Sequence, residues 1–278
     1  MSISGRAKLA GVVGWPVAHS LSPRLHAYWL AAHGIDGAYV PLAVQREDFG
    51  RAVGALARAG FRGVNVTVPH KEAAFALAHD VDDAARAAGA VNLLLFRDGR
   101  IEGRNTDAAG LAASLTEELG KNAVAAKDVA ILGSGGAARA AALAMATLGA
   151  QSIRIIARHR GRGEALSAGK LSVFDWNDAR ALAGTHLLIN ATSAGMTGQP
   201  PLDIVLDTLP LNAIVCDLVY NPLDTDLLQQ ARATGHRAVD GLGMLMHQAA
   251  PAFEAFYGER PQVTPALRTE LKKALRHG

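Results

Sequence analysis

The sequence predicts an α/β protein made of βαβ units with mostly parallel sheets, and three observations support this prediction. Hydrophobic residues make up 50% of the 278 residues, enough for a large buried core. Short apolar runs of strand length alternate with helical patterns along almost the whole chain. A glycine-rich turn between one such run and the next helix is typical of a nucleotide-binding βαβ unit.

Capping and turn residues delimit the predicted elements of the first half. Ser22 and Pro23 suit the N-cap and the first position of a helix, and Gly34 and Gly60 each end a helical pattern. Arg97-Asp98-Gly99 is a hairpin signal between two strands. The predicted strands cover residues 9–13, 38–44, 61–68, 91–96 and 99–103, and the predicted helices cover residues 22–33, 46–59, the stretch after 68 up to about 88, and 106–119.

The second half repeats the alternation after a junction at residues 120–127, which again predicts a parallel sheet. The predicted strands cover residues 128–132, 152–157, 186–191, 213–218 and 237–239, and the predicted helices cover residues 136–148, 164–168, 223–234, 242–256 and 265–276.

Composition argues against several classes of function. The only cysteine, Cys216, cannot form an internal disulfide, so we expect a reducing, cytoplasmic environment. Neither a membrane-spanning apolar run nor a signal-peptide pattern occurs, so we expect no membrane association. A net charge of +3 suits an anionic small molecule as well as a larger partner. Because aromatic residues are only 5%, we expect no nucleic acid, and the lack of a Cys/His cluster with ligand spacing predicts no metal ion. A monomer and a homodimer both remain open.

Residues 129–139 run from a buried strand through a glycine turn into a helix. Gly133, Gly135 and Ala138 fit the pattern G-x-G-x-x-A. The first glycine permits the tight turn, the second lets the backbone approach a pyrophosphate, and the small third residue lets helix and strand pack closely. The helix N-terminus offers free N–H groups to the phosphates. We therefore predict dinucleotide binding; the alternative is a glycine-rich turn that binds nothing.

The end of the following strand predicts which dinucleotide binds. NAD sites carry an acidic residue there for the ribose hydroxyl groups, and residues 151–163 contain none. Arg158, Arg160 and Arg162 stand there instead, and an arginine pairs well with a 2′-phosphate. The prediction is NADP, and the alternative is a solvated surface cluster.

Polar groups gather at the end of the third predicted strand. Period-2 alternation puts Asn65 and Thr67 on one face of this strand, opposite three valines. Pro69 ends the strand, so Lys71 lies at its carboxyl end beside a helix start, the edge where open α/β sheets bind ligands. Lys71 is thus a candidate general acid/base, with an exposed lysine as the ordinary alternative. His70 is a rival proton carrier, although a solvated side chain is the commoner state of a strand-end histidine.

Further polar residues stand at helix starts. Ser20 and Ser22 precede a helix, where two hydroxyl groups suit a carboxylate, although Ser22 also fits a plain N-cap. Asp107 opens another helix, and stabilisation by the helix dipole is its ordinary role. Tyr220 follows a predicted strand and Gln248 lies within a predicted helix, and either is equally an ordinary polar residue.

Together these motifs resemble the shikimate dehydrogenase family, NADP-dependent oxidoreductases of aromatic amino acid (chorismate) biosynthesis. The resemblance covers residues 11 to about 258. It rests on H-S-L-S-P at 19–23, N-V-T-V-P-x-K at 65–71, A-G-A-V-N at 88–92, N-T-D at 105–107, G-S-G-G-A-A at 133–138, N-A-T-S at 190–193 and D-G-L-G-M-L-x-x-Q-A-A at 240–250. The second and the last of these segments are specific to the family.

The resemblance implies roles for particular residues. Lys71 is the implied general acid/base, paired with Asp107, and the two serines are implied to hold the shikimate carboxylate. The residues implied to bind shikimate are Ser20, Ser22, Thr67, Asn92, Asp107, Tyr220 and Gln248. The residues implied to bind NADP are Asp83, Gly133, Ser134, Gly135, Gly136, Ala137, Ala157, Arg158, His159, Arg162, Leu218 and Gly241.

The resemblance also implies an α/β fold of two domains with a cleft between them. Residues 1–107 plus 242–278 are expected to form the N-terminal α/β substrate-binding and catalytic domain, and residues 108–241 the Rossmann-type NADP-binding domain. The implied reaction is the reversible NADPH-linked reduction of 3-dehydroshikimate to shikimate. The alternatives are a quinate/shikimate dehydrogenase of broader substrate or cofactor range and a non-catalytic NADP-binding homologue.

Departures from the family pattern bear on specificity. The usual Asn-Arg-Thr at the 2′-phosphate is Ala157-Arg158-His159 here, which predicts fewer flanking hydrogen bonds and looser NADP binding. Leu93 replaces a usual threonine and Ala108 a usual glycine, which predicts a changed pocket shape.

Overall fold

A computed structural model describes residues 3–158, 171–178 and 180–277. The chain divides into two structural units. Unit 1 comprises Met1–Thr106 and Leu245–Gly278, and unit 2 comprises Asp107–Met244. Across the described residues, no helix combines the length and the apolar character needed to cross a bilayer.

Strands and helices alternate along the chain, with one two-strand hairpin in the first half. In chain order they are β1 (Lys8–Gly14), α1 (Ser22–Ala32), β2 (Gly37–Ala43), a 3-10 turn (Arg46–Asp48), α2 (Phe49–Arg58), β3 (Gly63–Val66), α3 (Lys71–Leu77), β4 (Asp80–Val81), α4 (Asp83–Ala88), β5 (Leu93–Arg97), β6 (Arg100–Arg104), α5 (Asp107–Leu119), β7 (Asp128–Leu132), α6 (Gly136–Thr147), β8 (Ser152–Ala157), β9 (Leu171–Asp175), β10 (Leu187–Asn190), β11 (Ile214–Asp217), α7 (Asp226–Ala233), β12 (Arg237–Val239), α8 (Leu242–Tyr257) and α9 (Pro265–His277).

Unit 1 contains a mixed sheet in the order β2-β1-β3-β5-β6-β4. β1 pairs in parallel with β2 and β3, whereas β5 runs antiparallel to β3 and β6. Alternate valines of these strands, Val13, Val64 and Val66, pack with Phe49 and Val53 of α2 in one buried cluster. Because β1 and β3 are parallel, their carboxyl ends lie at the same edge of the sheet, and their amino ends lie at the opposite edge.

The predicted hairpin between β5 and β6 is confirmed. Arg97 pairs with Arg100, and the two residues between them, Asp98 and Gly99, have φ values of 50° and 74°. Positive φ at both central residues gives a turn whose twist matches that of the flanking strands.

Unit 2 contains a parallel sheet in the order β12-β11-β10-β7-β8-β9. From β9 inwards this is the 3-2-1-4-5-6 order of a doubly wound Rossmann fold, whose ligand crevice opens where the order reverses, at the carboxyl ends of β7 and β10. Alanine-rich α6 packs on this sheet with Ala138, Ala141 and Met145 buried, together with Leu111 of α5. Small side chains allow this close packing of helix on sheet.

Two stretches differ from the predicted elements. The helical pattern up to residue 88 is divided into α3 and α4 by the two-residue strand β4, which pairs with Glu102 and Gly103 of β6. Strand β9 is not predicted from the sequence, because Ser172 and Asp175 leave only a short apolar pattern. It forms through its parallel pairing with β8. The helix predicted at 164–168 lies outside the described residues.

Candidate functional site

Two loops run side by side at the carboxyl edge of the sheet in unit 1. The Trp15 N–H donates to the Val68 oxygen at 3.0 Å, and the Thr67 N–H donates to the Val13 oxygen at 2.9 Å. A Cβ at Gly14 would lie 2.5 Å from Thr67 Cγ2, so only glycine allows this approach. The polar loop after β1 and the polar end of β3 therefore meet at one place.

The prediction that Ser22 is the N-cap of α1 is wrong. Leu21 occupies the N-cap position without a side-chain hydrogen bond, and Ser22 is the first helical residue and is buried. Half-buried Ser20 accepts the Ser22 N–H through Oγ at 3.3 Å. Ser20 therefore satisfies one of the free N–H groups at the helix N-terminus, a role that usually belongs to the N-cap side chain. Its hydroxyl hydrogen stays available to donate to an anion.

Lys71 begins α3 and is half-buried at this same edge. Its carbonyl oxygen accepts the Val91 N–H at 2.9 Å, which ties the helix start to the residue before Asn92. Lys71 is therefore linked both to the end of β3 and to the segment that carries Asn92, another predicted site residue.

The prediction of a solvated His70 is wrong, since this residue is fully buried. Its ring stacks on Phe49 with centroids 4.7 Å apart, and Nε2 lies 2.8 Å from the Val44 oxygen. Because a carbonyl only accepts, Nε2 carries the hydrogen. Burial lowers the pKa of His70. The ring is thus packed against Phe49 of α2, directly before the start of α3.

An amide and hydroxyl network joins two predicted substrate residues that are distant in the chain. Asn92 Nδ2 donates to Thr106 Oγ1 at 2.9 Å and to Gln248 Oε1 at 3.4 Å. Asn92 Oδ1 accepts the Thr106 N–H at 2.9 Å. Behind it, Asn65 donates to the Asn92 carbonyl and accepts the Tyr39 hydroxyl at 2.8 Å. Neither Thr106 nor Tyr39 is predicted from the sequence to belong to a site, although the motif Asn-Thr-Asp was a signal for the former.

Three further predicted residues belong to other elements. Asp107 is the first residue of α5, as predicted, and it is buried in unit 2. Asp83 is exposed in α4 of unit 1, whereas the other described residues predicted to bind NADP belong to unit 2. Asp82, the residue before it, is the N-cap and accepts the Ala85 N–H at 2.7 Å. Tyr220 is half-buried after β11.

The glycine turn of unit 2 has the geometry of a phosphate loop. Gly133 has a φ of +108°, and a Cβ there would lie 3.1 Å from Thr192 Cγ2. Gly135 is the N-cap of α6, and a Cβ there would meet no heavy atom within 4 Å. The space beside Gly135 is open at the N-terminus of a 12-residue helix, where backbone N–H groups favour an anion. These residues fit a dinucleotide pyrophosphate.

A cavity of about 340 Å³ extends from this turn to the end of β8. The Arg158 guanidinium lies over the Trp176 ring, 5.0 Å from its centroid, and Trp176 Nε1 donates to the Asp203 oxygen at 2.9 Å. Trp176 is not predicted from the sequence, where its only signal is an aromatic residue in a polar stretch. The predicted residues His159 and Arg162 lie outside the described residues. The cavity is lined by Gly133, Ser134, Ala157, Arg158, Trp176, Thr192, Ser193, Ala194, Gln199 and Pro200.

A buried network holds the loop after β10 against this cavity. Asp217 accepts from the side chains of Asn190 and Thr225 at 2.9 and 2.7 Å. Asn190 Oδ1 in turn accepts the N–H and the hydroxyl of Thr192 at 3.0 and 2.8 Å. Burial raises the pKa of Asp217 to about 6. The motif Asn-Ala-Thr-Ser thus fixes the cavity wall that faces the phosphate loop.

Leu218 and Gly241, which the resemblance implies bind NADP, are in direct contact. A Cβ at Gly241 would lie 2.4 Å from the Leu218 oxygen, so the absence of a side chain permits this contact. The Leu218 N–H donates to the Asn190 oxygen at 3.0 Å, which links this pair to the cavity wall.

The chain is similar in sequence to known proteins. A family model described as the shikimate dehydrogenase substrate binding domain matches residues 12–94. The shikimate dehydrogenase (NADP(+)) of Paramagnetospirillum magneticum is 52% identical over 271 residues, which covers 96% of this chain and 98% of that protein. This chain belongs to the shikimate dehydrogenase family.

Solved shikimate dehydrogenase structures share the fold along nearly the whole chain. One in complex with NADP+ is similar with a TM-score of 0.88 at 31% identity, covering 99% of this chain and 98% of that chain. The shikimate 5-dehydrogenase of Thermus thermophilus, in complex with NADP(H) and shikimate, has a TM-score of 0.84 at 34% identity, covering 97% and 99%. The predicted family and the predicted α/β fold with a Rossmann-type unit are confirmed.

Proposed function

We propose that this member of the shikimate dehydrogenase family catalyses the reversible NADPH-linked reduction of 3-dehydroshikimate to shikimate. The observation that supports this most directly is the carboxyl edge of unit 1. A half-buried lysine stands there beside an ordered network of amide and hydroxyl groups that includes Asn92 and Gln248. Such a surface suits a small polyhydroxylated acid and offers one group able to carry a proton.

The chain supplies separate groups for the two ends of the substrate. Ser20 and Ser22 are assigned to the carboxylate, since the Ser20 hydroxyl can donate while its oxygen holds the helix start. Thr67, Asn92 and Gln248 are assigned to the ring hydroxyl groups, together with Asp107 and Tyr220. The Asn92 side chain is already oriented in the free protein, because Thr106 bonds both its amide nitrogen and its amide oxygen. Less conformational entropy is therefore lost when a substrate binds.

Lys71 is assigned the proton transfer. In the oxidation of shikimate its Nζ accepts the hydroxyl proton, and in the reduction it returns that proton to the oxygen. Asp107 is assigned the orientation of the same hydroxyl group. Positioned acid/base groups of this kind contribute roughly 10²–10⁴-fold to turnover.

Unit 2 supplies the cofactor residues. NADP, when bound, supplies the hydride acceptor for the oxidation, and NADPH the hydride donor for the reduction. Residues 133–137 would hold the pyrophosphate through backbone N–H groups, and Leu218 and Gly241 would border the nicotinamide. Arg158 would pair with the 2′-phosphate. Asp83, exposed in unit 1, keeps its predicted cofactor role.

Trp176 explains how Arg158 can serve without the usual neighbours. Ala157 has no side-chain donor for the phosphate, where the family usually has asparagine. The Trp176 ring instead holds the guanidinium by a cation–π contact, and the orientation of the ring is itself fixed by the hydrogen bond from Nε1 to the Asp203 oxygen. A pre-oriented guanidinium loses less freedom on binding a phosphate.

The deciding experiment measures NADPH oxidation with 3-dehydroshikimate, and NADP reduction with shikimate and with quinate. We expect turnover in both directions with the shikimate pair and a preference for NADP over NAD. Equal efficiency with quinate would replace the proposal with a broader quinate/shikimate dehydrogenase. NADPH binding without turnover in either direction would show a non-catalytic homologue.

A further inference from the structure

A second concave surface of unit 1 is strongly basic, and we name it the basic groove. It is a cavity of about 640 Å³ formed by residues 6–8 at the start of β1, 54–62 from α2 towards β3, and 96–101 of the β5–β6 hairpin. Its cationic side chains, set against the single carboxylate of Asp98, are Arg6, Lys8, Arg58, Arg62, Arg97 and Arg100.

The basic groove is separate from the polar edge assigned to the substrate. It lies at the amino ends of β1 and β3, whereas Ser20, Thr67 and Lys71 lie at their carboxyl ends. The Arg62 N–H donates to the Leu9 oxygen at 2.8 Å and its carbonyl accepts the Phe96 N–H at 3.0 Å, so the three segments form one ordered surface. The proposed dehydrogenase reaction uses none of these residues.

Three of the six cations already have partners. Arg100 pairs with Asp80 at 2.7 Å, Arg97 lies 3.6 Å from Glu102, and Lys8 Nζ donates to the Tyr257 oxygen at 2.7 Å.

The other three cations, Arg6, Arg58 and Arg62, are exposed. Within residues 3–158, 171–178 and 180–277, Arg58 and Arg62 form no ion pair. Arg6 lies near Asp36, since hydrogen bonds from Ser4 and the charge of Arg6 together lower the pKa of that carboxyl. The groove therefore concentrates positive charge that the described part of the protein leaves without an ion-pair partner.

This arrangement favours a multiply charged anion. Like charges around a concave surface focus a positive potential, and the partly buried rings of Phe61 and Phe96 give it apolar walls. The planar guanidinium fork matches the oxygens of phosphate in bidentate fashion. Gly60 and Gly99 add no side chains to its lining, and the volume is within the usual range for small-molecule sites.

We propose that the basic groove binds a small polyvalent phosphate anion, with Arg58 and Arg62 as its principal ligands. The phosphate chain of a nucleotide and free inorganic polyphosphate share this chemistry. The site does not depend on the proposed dehydrogenase activity, and it is distinct from the phosphate loop of unit 2.

The test is a calorimetric titration of the full-length protein with tripolyphosphate, with NADP present at saturation to fill the dinucleotide site. We expect one tripolyphosphate per chain, and an affinity that falls as NaCl rises from about 50 to about 200 mM, since screening weakens exposed charges. The Arg58→Ser/Arg62→Ser double variant should bind at least about tenfold more weakly, because each arginine provides charge-assisted hydrogen bonds. Arg276→Ser, an exposed arginine of α9 in the same unit, should bind like the wild type.

A comparison of ATP with tripolyphosphate distinguishes a nucleotide from a free phosphate chain as the ligand, and two other results would contradict the proposal. Tighter binding of ATP than of tripolyphosphate would identify a nucleotide site, and equal binding would identify a site for the phosphate chain alone. Absence of binding to NADP-saturated protein, or equal affinity in the double variant, would overturn the proposal. NADP reduction with shikimate should stay at the wild-type rate in the double variant, which shows that its fold is intact.

Discussion

Arg158 and Trp176 directly follow β8 and β9, which are paired strands of the sheet in unit 2, and their contact shows how one side chain can orient another for a ligand. The guanidinium is exposed, so a salt bridge to it would be weak on its own. Stacking on an indole that is itself hydrogen-bonded limits the orientations of the guanidinium. At the scale of single residues, cofactor preference then depends on a side chain that need not touch the phosphate.

Trp176→Ala should weaken NADP binding selectively. Loss of the cation–π contact is worth roughly 0.5–1 kcal/mol at an exposed site, so we expect a rise of about two- to fivefold in KM for NADP. Arg158→Ala should cost about 1.5–3 kcal/mol, the value of a hydrogen bond to a charged group. KM for NAD should change little in either variant, and Trp176→Phe should retain most of the preference. A parallel loss with NAD would mean that Trp176 supports the fold or the adenosine instead.

Lys71→Ala should lower kcat by roughly 10²–10⁴-fold with a much smaller effect on shikimate affinity, because it removes the proposed proton carrier. Steady-state rates with shikimate and NADP measure this. Lys272→Ala, a lysine of α9 in the same unit, is the matched control and should behave like the wild type. Turnover near the wild-type level in Lys71→Ala would remove the residue from the mechanism.

At the scale of elements, the turn between β7 and α6 uses two glycines for different physical reasons. Gly133 needs a left-handed φ and packs against Thr192, whereas Gly135 has an ordinary φ of −80° beside open space. Gly133 is needed for the backbone conformation of the turn, whereas Gly135 leaves space for a ligand to approach the backbone.

Alanine substitutions should therefore separate the two roles. Gly133→Ala places a side chain at a strained φ near a neighbour and should destabilise the protein by about 1–3 kcal/mol. Gly135→Ala should leave thermal stability nearly unchanged without cofactor, yet weaken NADP binding at least about tenfold, since the methyl group enters the space assigned to the pyrophosphate. Thermal unfolding and NADP titration of both variants give the comparison. Normal NADP affinity in Gly135→Ala would place the pyrophosphate elsewhere.

At the scale of the whole molecule, two buried titratable groups couple stability to pH with opposite signs. Burial lowers the pKa of His26 from 6.5 to about 3, so the unfolded chain takes up a proton between these values and the folded chain does not. His26 therefore lowers the free energy of unfolding as pH falls below 6.5. Asp217, with its pKa raised from 3.8 to about 6, keeps its proton longer when folded. Its contribution is largest at low pH and is lost as pH rises from 3.8 to 6.

His26→Phe should remove one of these dependences. The His26 ring stacks on Tyr39 with centroids 3.8 Å apart, and neither ring nitrogen has a hydrogen-bond partner among the described residues, so an apolar ring is a close substitute. The stability difference between wild type and variant should shift by about 2.5 kcal/mol in favour of the variant between pH 7 and pH 4.5. Urea unfolding followed by the fluorescence of buried Trp29, beside His26, measures it. Equal pH dependence in both proteins would show that the histidine is protonated in the folded state.

Local patterns in the chain were sufficient to predict much of this protein. The alternation of strands and helices, the glycine turn at Gly133 and the hairpin at Asp98 depend on neighbouring residues only, through periodicity and backbone freedom. The order of motifs along the chain likewise indicated the family, because each motif is a short run of adjacent residues.

Contacts between distant segments were beyond the reach of those patterns. The pairing of Asn92 with Gln248, the stacking of Trp176 under Arg158 and the burial of His70 each join residues whose separation in the sequence carries no periodic signal. The basic groove likewise collects cations from three segments that look like ordinary surface charge when read in order. Burial and partner choice follow from which chain segments pack together, and that depends on the sum of many weak, non-local interactions.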